Sequence, residues 1–155
     1  MEVLASRLLL RPRDLERSLA FYRDALGLPV YREFGAGRQY GVVFFTGGGY
    51  LEVAGELGGG ATAAHGNGPG AGPGGEPAAA GGHATAGAAG GPMLWLQVRD
   101  APAELARLAA AGVPAVREAR REPWGLVEGW IEDPDGMRIC VVEVPEDHPI
   151  RRRVD

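Results

Sequence analysis

Cys140 is the only cysteine of the chain and the first candidate for chemistry. A thiol acts as a nucleophile only as a thiolate with a base placed beside it. Cys140 sits in the largely apolar run MRICVVEV and His148 falls beyond that run, so the residue reads as a buried strand cysteine. His65 and His83 are conceivable metal ligands, yet both lie in a tract of Gly, Ala and Pro and read as solvated. Arg151 to Arg153 read as a solvated charged end rather than an anion-binding tail. Trp95, Trp124 and Trp130 are the only tryptophans, and all fall in the second half. Their rings suit a flat or largely apolar ligand, held by stacking and oriented by a few polar groups. For Trp95 and Trp130 a second role, filling the core, stays open.

Two copies of one design must position these residues. Arg7 to Gly27 reads RLLLRPRDLERSLAFYRDALG and Met93 to Gly112 reads MLWLQVRDAPAELARLAAAG. Each holds an apolar strand, an Arg-Asp pair, an amphipathic helix and a closing glycine, the pattern of a duplicated module. In the first copy, Val3 to Leu10 reads as a strand, Asp14 as a helix N-cap, and Leu15, Leu19, Tyr22 and Leu26 as the inward stripe of the helix. Pro29 to Phe34, Gln39 to Thr46 and Tyr50 to Ala54 follow as strands between Gly-containing turns. In the second copy, Met93 to Val98 is a strand, Asp100 a cap, and Leu105 and Leu108 face inward on a helix running to Ala111. Strands at Ala115 to Arg121, Leu126 to Glu132 and Arg138 to Val144 complete it, with Asp133-Pro134-Asp135-Gly136 as the last turn.

The predicted fold is α+β: two βαβββ modules forming a cleft-bearing curved mixed sheet, with a long disordered Gly/Ala-rich insert between them. The modules occupy residues 1–56 and 92–145, the insert 57–91 and a C-terminal tail 146–155. About four-fifths of the insert is Gly, Ala or Pro, too little side chain to offset the cost of ordering, so it reads as a flexible linker.

Composition narrows the function. The chain carries 20 acidic against 16 basic residues, a net charge of -4, which argues against a nucleic-acid surface. Every basic residue is Arg, a compositional bias that lowers the information in any single one. A lone cysteine forms no internal disulfide and fits a reducing compartment. The opening MEVLASRLLLRPRD has too short an apolar run for a signal peptide, and no stretch reaches membrane-spanning length, so a cytoplasmic protein without a membrane partner is expected.

RDLERSLAFYRDALGLPV near the start and EPWGLVEGWIEDPDGMRICVVEVP near the end resemble the glyoxalase, bleomycin-resistance and extradiol-dioxygenase group, the vicinal oxygen chelate superfamily. The resemblance covers about Val3 to Ala54 and Met93 to Pro145, in the same order in both halves. It implies a fold that hosts metal-dependent isomerases and dioxygenases, thiol transferases and metal-free drug-binding proteins. Metalloenzymes of the family place His, Glu or Gln ligands on the first and fourth strand of each half, and those positions fall on Arg7, Glu52, Met93 and Cys140. Of these only Glu52 matches. Arg7 has no acceptor, Met93 offers a soft thioether, and Cys140 a thiol. Such a set does not suit a hard divalent ion, so no metal and no other cofactor is expected.

The same strand positions suggest a replacement in which the Arg7 guanidinium takes the place of the cation and pairs with Glu52, presenting spare N–H donors to a ligand. Strand alternation then brings Leu9 and Arg11 to the cleft with Arg7, and Trp95 and Gln97 with Met93, while Leu8 and Leu10 pack beneath the helix. Tyr50 shares a face with Glu52, Val142 shares one with Cys140, and Trp124 occupies the family's common Trp-Gly position at the mouth. The resulting expectation is a metal-free protein of the bleomycin-resistance type, binding a small aromatic or amphipathic molecule at Arg7, Leu9, Arg11, Tyr50, Glu52, Met93, Trp95, Gln97, Trp124, Trp130 and Cys140. Two enzyme readings stand beside it. One is a divalent-metal lyase, isomerase or dioxygenase with atypical ligands; the other is a metal-free enzyme using Glu52 as general base, which an Arg7 partner disfavours. Family members often pair, so a homodimer is compatible with the resemblance.

Overall fold

The computed structural model describes residues 1–2, 5–55 and 91–151; Val3 and Leu4 of the expected first strand, residues 57–90 of the expected insert with His65 and His83, and the far end of the tail with Arg152 and Arg153 lie outside them. Two modules repeat one order of elements. The first holds β1 (Arg7–Leu10), α1 (Leu15–Ala20), a π-helical turn (Phe21–Ala25), β2 (Val30–Phe34), β3 (Gly41–Phe45) and β4 (Tyr50–Ala54). The second holds β5 (Leu94–Val98), α2 (Ala101–Ala110), β6 (Arg117–Arg121), β7 (Val127–Glu132) and β8 (Arg138–Glu143). The strands form two four-stranded mixed sheets, ordered β1-β4-β3-β2 and β5-β8-β7-β6, in which only β1 with β4 and β5 with β8 run parallel.

The repeated Asp and Gly residues set the ends of the helices. Asp14 Oδ1 accepts from the Arg17 backbone N–H at 3.0 Å, and Asp100 Oδ1 from that of Ala103 at 2.8 Å, filling amide positions that a helix start leaves open. Gly27 and Gly112 follow the helices at φ 68° and 86°, a left-handed conformation that glycine adopts without a Cβ penalty. The first helix departs from the expected α-helical stripe at its C-terminal end. There Leu26 N–H bonds to Phe21 C=O at 2.9 Å, a five-residue step, and the wider turn buries the adjacent Phe21 and Tyr22 together, edge to face at 5.0 Å. Strand β1 is also shorter than the expected run, with Ala5 and Ser6 outside it.

Alternation assigns each sheet two faces. Val42, Phe44, Leu51 and Val53 of the first sheet join Leu105, Leu108, Ile131, Ile139 and Val141 of the second module in one buried cluster with Leu19 and Tyr22. Leu8 and Leu10 pack against this cluster, as expected. Polar ties also join the modules: Tyr22 Oη donates to Asp133 Oδ2 at 2.8 Å within the buried region, and at the surface the Arg13 N–H donates to Asp135 Oδ2 at 2.9 Å and Arg107 Nη1 to Ala25 C=O at 3.0 Å. The helix-bearing faces of the two sheets therefore meet each other. The opposite faces, which carry the candidate residues, turn away from this core.

Candidate functional site

On the outward face of the first sheet, parallel pairing sets Arg7 beside Tyr50 and Leu9 beside Glu52. Glu52, next along β4 on the same face as Tyr50, is only 8% exposed. Arg7 Nη1 reaches its Oε2 at 2.8 Å. Arg11, just past the end of β1, reaches Oε1 at 3.0 Å through Nη2, while its Nη1 donates to Leu10 C=O at 3.0 Å. One carboxylate thus lies between two guanidinium groups, each still open to solvent on one side. Burial pushes the Glu52 carboxyl up, but the hydrogen bonds and charges of Arg7 and Arg11 outweigh it and hold the group below its ordinary range. Next to this cluster Tyr50 makes an aromatic shelf, with the Tyr31 ring at 4.7 Å and Phe45 at 5.9 Å.

The outward face of the second sheet is built around Trp130. Strand register aligns Trp95, Cys140, Trp130 and Arg117 in one row across β5, β8, β7 and β6. Trp95 is 46% exposed, whereas Trp130 packs on Leu126, Cys140, Val142 and Val144 and serves as both wall and filler. The Arg117 guanidinium lies 3.8 Å from the centre of the Trp130 ring, and Arg138 lies 5.0 Å away. Glu128, two residues before Trp130, is buried and collects three partners: Trp124 Nε1–H at 2.7 Å, the Cys140 thiol at 3.7 Å and Arg117 at 3.7 Å. Arg117 also holds the buried Glu122 at 2.7 Å. Burial first, then the charge of Glu128 and its hydrogen bond, push the Cys140 thiol up to about 11, which leaves it protonated and unreactive as a nucleophile.

The eleven expected positions divide between these faces. Arg7, Leu9, Arg11, Tyr50 and Glu52 belong to the first, and Trp95, Gln97, Trp130 and Cys140 to the second. Met93 immediately precedes β5, and Trp124 lies in the turn before β7, exposed and tied to Glu128. Among the described residues no hydrogen bond or ion pair joins the two sets. Glu122, Glu128 and Arg117 were not expected from the sequence. Glu128 could have been found by parity, since it lies two residues from Trp130 on one strand.

The resemblance places metal ligands at Arg7, Glu52, Met93 and Cys140. The Glu52 carboxylate is committed on both oxygens to arginines, one of which is Arg7, and the Cys140 thiol is held protonated beside a carboxylate. Among the described residues no group of three or more His, Cys, Asp or Glu side chains could hold a metal ion. This donor set does not fit a divalent cation.

Residues 5–141 match the family model described as Glyoxalase/Bleomycin resistance protein/Dioxygenase superfamily. No curated protein matches the sequence. Solved structures do. TioX from Micromonospora sp. ML1 is similar at 20% identity and a TM-score of 0.61, over 90% of this chain and 97% of that one. TnmS3, an antibiotic binding protein from Streptomyces sp. CB03234, is similar at 16% identity and a TM-score of 0.61, over 93% and 98%. A lactoylglutathione lyase from Agrobacterium tumefaciens is similar at 24% identity and a TM-score of 0.57, over 92% and 95%. At these identities the likeness is one of fold, shared by binding proteins and enzymes alike. No helix among the described residues is long and apolar enough to cross a membrane.

Proposed function

The chain belongs to the glyoxalase/bleomycin resistance protein/dioxygenase superfamily, and from that premise we propose that it is a metal-free binding protein for a small aromatic or amphipathic molecule, of the sequestering or carrier type. The observation that carries this reading is the Arg7–Glu52–Arg11 cluster: a position where relatives hold a metal ligand is here an internal ion pair. The Tyr31–Tyr50–Phe45 shelf on one face and Trp95 with Trp124 on the other offer stacking surface of the kind such ligands need. The antibiotic-binding description of TnmS3 agrees with it.

In one copy the two faces turn away from each other, so in this proposal a second copy lays its tryptophan face over the Arg7 face of the first and closes the cleft. The test joins native mass spectrometry and elemental analysis of the purified protein to a tryptophan-fluorescence titration with the neutral aromatic probe N-phenyl-1-naphthylamine. Sub-stoichiometric metal, a dimer and saturable binding weakened by Trp95→Ala are expected. A stoichiometric divalent metal that is lost in Glu52→Gln overturns the reading in favour of a metal-dependent enzyme.

A further inference from the structure

The proposed ligand site is not electrically neutral, although the chain as a whole carries a net charge of -4. Register across the first sheet places Leu9, Glu52, Val43 and Arg32 in one row on one face. Among the described residues in that row and beside it on the same face, the cations of Arg7, Arg11 and Arg32 stand against the carboxylate of Glu52. Glu52 can neutralise one guanidinium, and it faces two. Arg7 and Arg11 keep side-chain exposures of 37% and 28%, so the unbalanced charge is reachable from solvent. Each guanidinium also retains N–H donors not used by Glu52 or Leu10, fixed in direction by the bonds already made.

Tyr50 stands directly beside Arg7 in the strand register and carries Tyr31 and Phe45 on its flanks. An aromatic shelf next to a fixed pair of cations is complementary to a molecule with a ring and an acidic substituent. A cationic ligand would meet like charge here, and a purely apolar one would leave the donors without partners.

Resting on the small-molecule reading above, we infer that the ligand class is an aromatic anion, whose carboxylate, sulfonate or phenolate is taken by Arg7 and Arg11 while its ring lies on the Tyr31–Tyr50–Phe45 shelf. Glu52 is then a positioning residue: it aims both guanidinium groups and competes with the ligand for their charge. The same cluster that engages both Glu52 oxygens thus supplies the recognition element.

A matched pair of fluorescent probes tests this. 1-Anilinonaphthalene-8-sulfonate and N-phenyl-1-naphthylamine share the ring system and differ in one sulfonate. The full chain is expected to bind the sulfonate at least roughly tenfold more tightly at low salt, with the difference shrinking as salt rises. Arg7→Gln and Arg11→Gln each remove most of that preference, read as the ratio of the two probes' affinities. Glu52→Gln tightens the sulfonate a few-fold, because the arginines lose their internal competitor; a merely structural Glu52 gives no such gain. Arg99→Gln, an exposed charge before α2, changes neither probe and controls for net charge. Equal binding of both probes, insensitive to Arg7 and Arg11, overturns the anion inference while the binding-protein reading stands. Failure of both probes to bind overturns the two together.

Discussion

The Tyr22 hydroxyl donates a 2.8 Å hydrogen bond to Asp133 Oδ2, joining the first helix of one module to the final turn of the other inside the shared core. Asp133 uses its other oxygen, Oδ1, to accept the backbone N–H groups of Asp135 and Met137, so that turn depends on its carboxylate. Tyr22 has no exposure, and burial followed by the charge of Asp133 raises its pKa far above the ordinary phenol range. Tyr22→Phe removes the donor while keeping the ring. It leaves a buried carboxylate oxygen unsatisfied, at a cost of about 1–3 kcal/mol. For a chain of this size each kcal/mol lowers Tm by roughly 2–4 °C. Thermal melts of Tyr22→Phe against Tyr31→Phe, whose ring is largely exposed, check this; the control is expected to change by no more than about 0.5 kcal/mol.

The Arg7–Glu52–Arg11 cluster makes a pH-dependent contribution whose sign is fixed. The folded Glu52 carboxyl lies below its ordinary value of 4.5, so its contribution is present above that pH and is lost as pH falls through the folded value. Glu52→Gln is therefore expected to be less stable than the parent by on the order of 1 kcal/mol near neutrality, where the part-exposed arginines are screened by solvent. The gap narrows as the pH falls below 4.5. Melts from pH 3 to 8 measure it, and a gap that stays constant across that range contradicts the assignment.

Much of this architecture is legible in the sequence because it depends on local rules. Asp14 and Asp100 before amphipathic runs, with Gly27 and Gly112 after them, define both helices and thereby the repeat. Alternation in β1 separates Arg7 and Leu9 from Leu8 and Leu10, and strand placement alone brings Arg7 to Glu52. What escapes such reading depends on reach or on tertiary fit. Alternation brings Arg11 to the same side as Arg7, but its bond to Glu52 from beyond the strand end depends on side-chain length, which parity does not give. The π turn at Phe21 answers to core packing against the other module rather than to helical period. In β8 both faces are apolar, with Ile139 and Val141 on one side and Cys140 and Val142 on the other, so hydropathy could not say which face meets the other module.

Cys140 provides a check on the second face. A thiol with its pKa pushed up to about 11 is protonated at pH 8, and burial also blocks access. Iodoacetamide is expected to alkylate the native protein at least about tenfold more slowly than the urea-unfolded chain, because the folded thiol holds less thiolate and is buried. Glu128→Gln removes the negative charge beside the sulfur and should raise the native rate. Because the folded pKa is raised, the associated stability holds below the ordinary value of 9.0 and declines as pH rises toward 11. Mass spectrometry of the alkylated fraction against time reads both effects, and equal native and unfolded rates would contradict the buried network.

The closest test of packing lies where α2 crosses β7. A Cβ on Gly129 would run into Leu105 Cδ1 and press on the Ala119 backbone at 3.1 Å, so the helix rests on a strand that glycine alone makes flat enough. Leu105 is buried in the common core, and the clash cannot be relieved by swinging it into solvent. Gly129→Ala is expected to cost about 1–3 kcal/mol through overpacking. Leu105→Ala alone should cost about 2–5 kcal/mol by leaving a cavity. Combined, the two changes should cost less than their sum, because the new methyl group enters part of the space that the leucine vacates and the pair share one contact. Urea denaturation of the two single variants and the double variant measures the coupling. Additive costs would mean that the resistance to Gly129→Ala comes from the Ala119 backbone, and that α2 does not hold its position on β7 through Leu105.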